Sequence, residues 1–251
     1  MNDIPPIGRY VAMTFLLTFA ASVLAVPPET PPALESVLIQ DVPHVRQKPD
    51  FCGEACAEMC LRKLGSPLTQ DDVFNAANVD PILGRGAIAR ELAAALVSIG
   101  FKVGPVWTQV DTARAPVELA AQFAALHADL AKGIPSIVCM RTGAGAGATE
   151  HFRLALGYDA QTDAVIYHEP AADADGAYRK MPRQQFIDCW PLKYSSNRWT
   201  AVRMRLEPDR IPKVALPRKG FSNADYAQHM MELKQKIPNA DFSVVIERPF
   251  V

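Results

Sequence analysis

Three residue types at telling positions could together do nucleophilic chemistry: a cysteine followed by glycine, a glutamine upstream of it, and a distant histidine. Cys52 lies in the run Gln47-Lys48-Pro49-Asp50-Phe51-Cys52-Gly53-Glu54-Ala55-Cys56, and His151 opens the run His151-Phe152-Arg153-Leu154-Ala155-Leu156-Gly157-Tyr158. The thiolate is the reactive form of cysteine, so Cys52 needs nearby positive charge; a helix N-terminus and an imidazolium both supply it. The Gln47 side-chain N–H and the Cys52 backbone N–H could bind an oxyanion that develops on a carbonyl under attack. Read without these neighbours, Cys52, Cys56 and Cys60 form an apolar stripe of ordinary core cysteines. Gln47 and Gly53 single out Cys52. The triplet is a poor metal site, because its x3-x3 spacing matches neither zinc nor iron–sulfur patterns. Along a helix its members would also climb ~6 Å per step. No metal and no cofactor are expected.

A catalytic imidazole needs a third group to fix its tautomer. Val165, Tyr167 and Glu169 alternate along one strand face, so Glu169 points away from His168. If the His151 strand and the next one pair through a turn at 160–163, Glu169 arrives beside His151. Alone, Glu169 reads equally well as an exposed strand-end carboxylate. His168 is a rival base, His44 lies near the Gln47 loop, His127 is on a helix and His229 is in the tail. Gly143, Gly145 and Gly147 precede a strand and not a helix, so they fail as a phosphate cradle and read as a loop beside the site.

The elements that must carry these groups follow from periodicity. A short strand is expected at 37–42. Residues 53–64 read as a helix, with Glu54 and Glu58 early and Arg62 and Lys63 late in complement to its dipole, closed by Gly65. Thr69 and Asp72 form a capping box for a second helix. Ile88, Leu92, Leu96 and Ile99 make one face of a third, over 87–99. Leu119, Phe123, Leu126 and Leu130 mark a fourth, entered at Pro116 and stopped by Gly133. Strands are expected at 101–107, 134–140, 151–158, 164–168 and 200–206, with a short helix at 182–190. Helices first and strands later indicate an α+β fold, a helical half packed on an antiparallel sheet. A linker at 207–219 leads to a helix capped by Ser222 and a strand at 242–246.

The Gln-x4-Cys-Gly run, its Ala-rich helix ending in Leu-Gly, Gly133-Ile134-Pro135-Ser136-Ile137-Val138, His151-Phe152 and Gly157-Tyr158-Asp159 occur in a recognisable order. This set resembles the bacteriocin-processing, double-glycine-type cysteine peptidases, whose fold is papain-like. The resemblance covers about 42–206. It implies a thiol peptidase with Cys52 as nucleophile, His151 as general base and acid, Glu169 as orienting group and Gln47 in the oxyanion hole. Glu169-Pro170 stands where that family has Asp-Pro, which adds a methylene. No transporter membrane domain accompanies the site.

Composition bounds the rest. The chain has 251 residues, 49 % of them hydrophobic, and a net charge of −1. A sizeable core is expected and a nucleic-acid partner is not. Residues 1–25 read as a secretion signal: Arg9, an apolar run from Val11 to Leu24, and small residues before a cleavage point after Ala25. Residues 26–36 read as a Pro-rich linker, 37–206 as the peptidase-like domain and 207–251 as an extension. An exported, periplasmic or extracellular enzyme acting on a peptide or protein is expected, with no membrane span beyond the signal. The five cysteines leave at least one thiol unpaired. The alternative is a peptide-binding domain of the same fold with weak or no catalysis.

Overall fold

A computed structural model describes residues 34–143, 145, 147–193, 197–214 and 220–237. The expected signal, most of the Pro-rich linker and the expected strand at 242–246 lie outside the described residues. After a two-residue strand β1 (Val37–Leu38), helix α1 (Cys52–Lys63) begins at the cysteine itself. Gly53 to Leu61 are all buried. Glu54 and Glu58, the acidic residues of the early turns, are 0 % and 2 % exposed. Both carboxylates close neighbouring backbone: Glu58 accepts from Gln70 N–H at 2.8 Å, and Glu54 accepts from Ala87 N–H at 2.7 Å. A buried carboxylate tolerates its place only with such partners.

Helix α2 (Gln70–Ala76) starts at the Thr69–Asp72 capping box, and α3 (Ala89–Ile99) ends at Gly100, whose φ of 116° favours glycine. The single strand expected at 101–107 is broken. Gly104 adopts φ 66° before Pro105, so β2 (Phe101–Lys102) separates from β3 (Trp107–Asp111). Helix α4 (Ala115–Ala131) buries Leu119, Phe123, Leu126 and Leu130, the stripe its spacing demands. There follow β4 (Ser136–Arg141), β5 (Glu150–Asp159), β6 (Ala164–His168) and β7 (Arg179–Pro182), the last not read from the sequence. Helix α5 (Arg183–Cys189), β8 (Arg198–Arg205), β9 (Glu207–Pro208) and α6 (Asn223–Lys236) complete the described elements.

The main sheet is antiparallel, in the order β3-β8-β4-β5-β6-β7, with β1 also on β5. β2 and β9 form a separate ribbon. Alternation along β4 divides the core. Ile137 and Cys139 face α1, α2 and α3, whereas Val138 and Met140 face α4 and α5. The fold is α+β, with helices covering both faces of the sheet. β5 lies inside the sheet, and α1 packs its N-terminus onto it: a Cβ at Gly53 would lie 3.1 Å from the Phe152 ring.

Candidate active site

Cys52 is the first residue of α1 and is partly exposed, whereas Cys56, Cys60, Cys139 and Cys189 are buried; all five are free thiols. Asp50 precedes the helix in the left-handed region (φ 57°), and the Phe51 N–H bonds back to Lys48 O at 3.0 Å. That turn swings the chain into the helix. Phe51 anchors it, fully buried and stacked on Phe74 at 4.7 Å. Gly86 lets the opposite wall approach, since a Cβ there would sit 1.9 Å from the Asp50 carbonyl oxygen.

His151 lies near the start of β5, opposite Met140 of β4. β5 and β6 pair as a hairpin through 160–163, with Leu154 opposite His168. Glu169, the next residue, meets His151: Nε2 and Oε1 are 2.5 Å apart. The other carboxylate oxygen accepts from Arg153 Nε at 2.8 Å. Burial opposes ionisation of Glu169, but the hydrogen bond and charge of His151 and the charge of Arg153 outweigh it and hold the carboxyl down at about 2. An ionised Glu169 requires the proton of His151 to sit on Nε2. The Nδ1 lone pair is then free to act as a base.

Gln47 is joined to the same corner. Its N–H donates to Pro170 O at 2.8 Å, and His44 Nε2 bonds the Glu169 carbonyl at 2.9 Å. Lys48 fixes the loop further, through its N–H to Gln70 and its ammonium to Asp71 at 2.7 Å. The Gln47 side-chain oxygen is buried with no partner among the described residues. His168, the rival base, is fully buried. Its Nε2 donates to Val42 O and its Nδ1 accepts from Tyr178 N–H, both at 2.9 Å, so neither nitrogen is available. His127 is tied to the Glu35 carbonyl at 2.7 Å, and His229 lies on α6.

Gln47, Cys52 and His151 line one cleft of about 670 Å³, together with Arg85–Arg90, Trp107 and Cys139. The cleft does not hold a ready-made thiolate. Burial pushes the Cys52 thiol up to about 11; backbone hydrogen bonding from Phe152 works against this, and the Glu54 charge adds to the rise. Burial thus disfavours the Cys52 thiolate, where a lowered value was expected of it. Burial outweighs the backbone hydrogen bonds from Phe152 and Gly53 that would lower it. Glu54 is raised by its own burial to about 8, against the hydrogen bond from Ala87.

Two neighbours escaped the sequence reading. Arg153 stands two residues after His151, on the same strand face, and that alternation was the signal for it. Glu54 gave no signal, because an early helical glutamate is ordinarily solvated.

A cysteine opening a helix and a strand histidine bonded to a carboxylate, the two lining one cleft of an α+β scaffold, are the arrangement of a cysteine-peptidase-like domain. The sequence pattern of the Peptidase C39 like family matches residues 39–196, well over half of the chain, and the chain belongs to this family. Among solved structures, xylellain, a cysteine protease from Xylella fastidiosa, is similar with a TM-score of 0.46 at 12 % identity, over 70 % of this chain and 86 % of that one. The peptidase domain of Streptococcus ComA, a bi-functional ABC transporter involved in a quorum sensing pathway, is similar with a TM-score of 0.42 at 15 % identity. That match spans 66 % of this chain and 99 % of the other. No curated protein matches the chain.

Proposed function

We propose that the protein is an exported cysteine peptidase or amidase that cleaves an amide through a thioester on Cys52. The carrying observation is the 2.5 Å contact between His151 Nε2 and Glu169, at the edge of the cleft that Cys52 lines. With Nε2 holding the proton, Nδ1 takes the proton of the Cys52 thiol as sulfur attacks the carbonyl carbon. The Gln47 amide and the Cys52 backbone N–H receive the oxyanion. The imidazolium then protonates the leaving amine, and water, activated by the same nitrogen, hydrolyses the thioester. Because burial disfavours the Cys52 thiolate, attack and proton transfer are coupled. Incubation with a mixed peptide library tests this. Cleavage abolished in Cys52→Ala supports the mechanism, and an unchanged rate in that variant refutes it.

Export is part of the same reading, and its support is the pattern of residues 1–25. Expression in a secreting host should yield a mature chain beginning at Val26. No described helix is long and apolar enough to cross a membrane.

One observation favours a second reading, a peptide-binding domain with little catalysis: the Cys52 thiol raised to about 11. The two readings separate with an activated peptide ester. An adduct on Cys52 seen by mass spectrometry supports the enzyme, and peptide binding without any adduct supports the binding module.

A further inference from the structure

Helix α6 lies wholly beyond the family match, yet its side chains enter the core that holds α1. Ala224 and Ala227 are fully buried and Met231 is 4 % exposed, all within the cluster that includes Phe51 and Cys56. The helix is well formed in its own right, with Ser222 and Asp225 as a reciprocal capping box. The Ala224 N–H donates to Asn75 Oδ1 at the end of α2, at 2.9 Å.

From this seat α6 reaches two loops that border the cleft. Gln228 Nε2 donates to Pro49 O at 3.1 Å, and Pro49 stands between Gln47 and Cys52. Two turns along, Lys234 Nζ donates to Leu83 O at 2.5 Å. Leu83 ends the 3-10 turn Pro81–Leu83, and the chain runs directly from it into Arg85–Ile88 of the opposite wall. Met230 packs against Gly84, where an added Cβ would lie 3.2 Å from its own Cβ.

We propose that α6 is a strut that sets the width of the cleft, with Gln228 and Lys234 as positioning residues for its two walls. One rigid helix bonded to both loops braces their separation from outside, beside the direct approach of Gly86 to the Asp50 carbonyl and the Glu54–Ala87 hydrogen bond. A misplacement of ~1 Å at a reacting centre can lower a rate by about 10²-fold, so cleft width has kinetic weight. The proposal rests on this cleft being the catalytic site.

The test is the full-length double variant Gln228→Met, Lys234→Met, compared with Glu232→Gln as an exposed control on the same helix. Hydrogen exchange should quicken at amides of 47–51 and 83–88 and stay unchanged in β4 and β5. With a cleaved peptide, kcat/KM should fall roughly tenfold, chiefly through kcat. Gln228→Lys, which keeps a donor, should stay close to wild type as a single variant, where Gln228→Met does not. Unchanged exchange in both loops overturns the strut. If the wild-type chain cleaves nothing, the peptidase reading falls, and the exchange comparison still decides the strut.

Discussion

At the scale of single residues, the site turns on which groups carry charge. Glu169 is an ionised carboxylate that both His151 and Arg153 hold in place. Replacing it with Gln keeps the shape but removes the charge that keeps the His151 proton on Nε2. Single-turnover hydrolysis by Glu169→Gln should fall by roughly 10²–10⁴-fold, the range typical for a lost or misassigned general base. Glu54 gives a separate prediction. Its carboxyl is raised from 4.5 to about 8, so the folded protein binds this proton more tightly than the unfolded chain. Its contribution to stability is full below pH 4.5 and is lost as pH rises through about 8. Thermal melts should show a decline over that window in the wild type that Glu54→Gln flattens. Glu169 works in the opposite sense, its contribution present above pH 4.5 and lost as pH falls through about 2. That Gln47, Cys52 and His151 share one cleft and that Glu169 meets His151 was legible, because spacing and strand alternation mark them. The ionisation of Cys52 was not, because burial of a helix start is a property of the whole packing and no local pattern encodes it.

At the scale of elements, the walls of the cleft approach too closely for side chains. A Cβ at Gly86 would sit 1.9 Å from the Asp50 carbonyl oxygen, and backbone does not yield as a flexible side chain does. Gly86→Ala should cost about 1–3 kcal/mol, as overpacking does, read as a lower urea midpoint, and it should lower activity by shifting the loop before Cys52. Gly53→Ala is the milder case, since the nearest atom is the end of the Leu92 side chain. Most elements could be read from the sequence. The capping boxes at Thr69 and Ser222, the stripe of α4 and the hairpin of β5 and β6 are local patterns. The break between β2 and β3 turned on Gly104-Pro105, and β7 was missed because four residues carry too little periodicity.

At the scale of the molecule, five free thiols sit in one domain and only Cys52 meets solvent appreciably. A thiol-specific colorimetric reagent should count one reactive group in the native protein and five after denaturation. The melting temperature should not depend on a reductant. The candidate site is assembled from far-apart stretches, with Cys52 on α1 and His151 and Glu169 on β5 and just after β6. The order of synthesis follows from that arrangement. A ribosome delivers Cys52 long before His151 and Glu169, its partners in the proposed site. Every nascent fragment ending before residue 169 thus lacks part of the proposed site, which is complete only once the sheet has closed around β5.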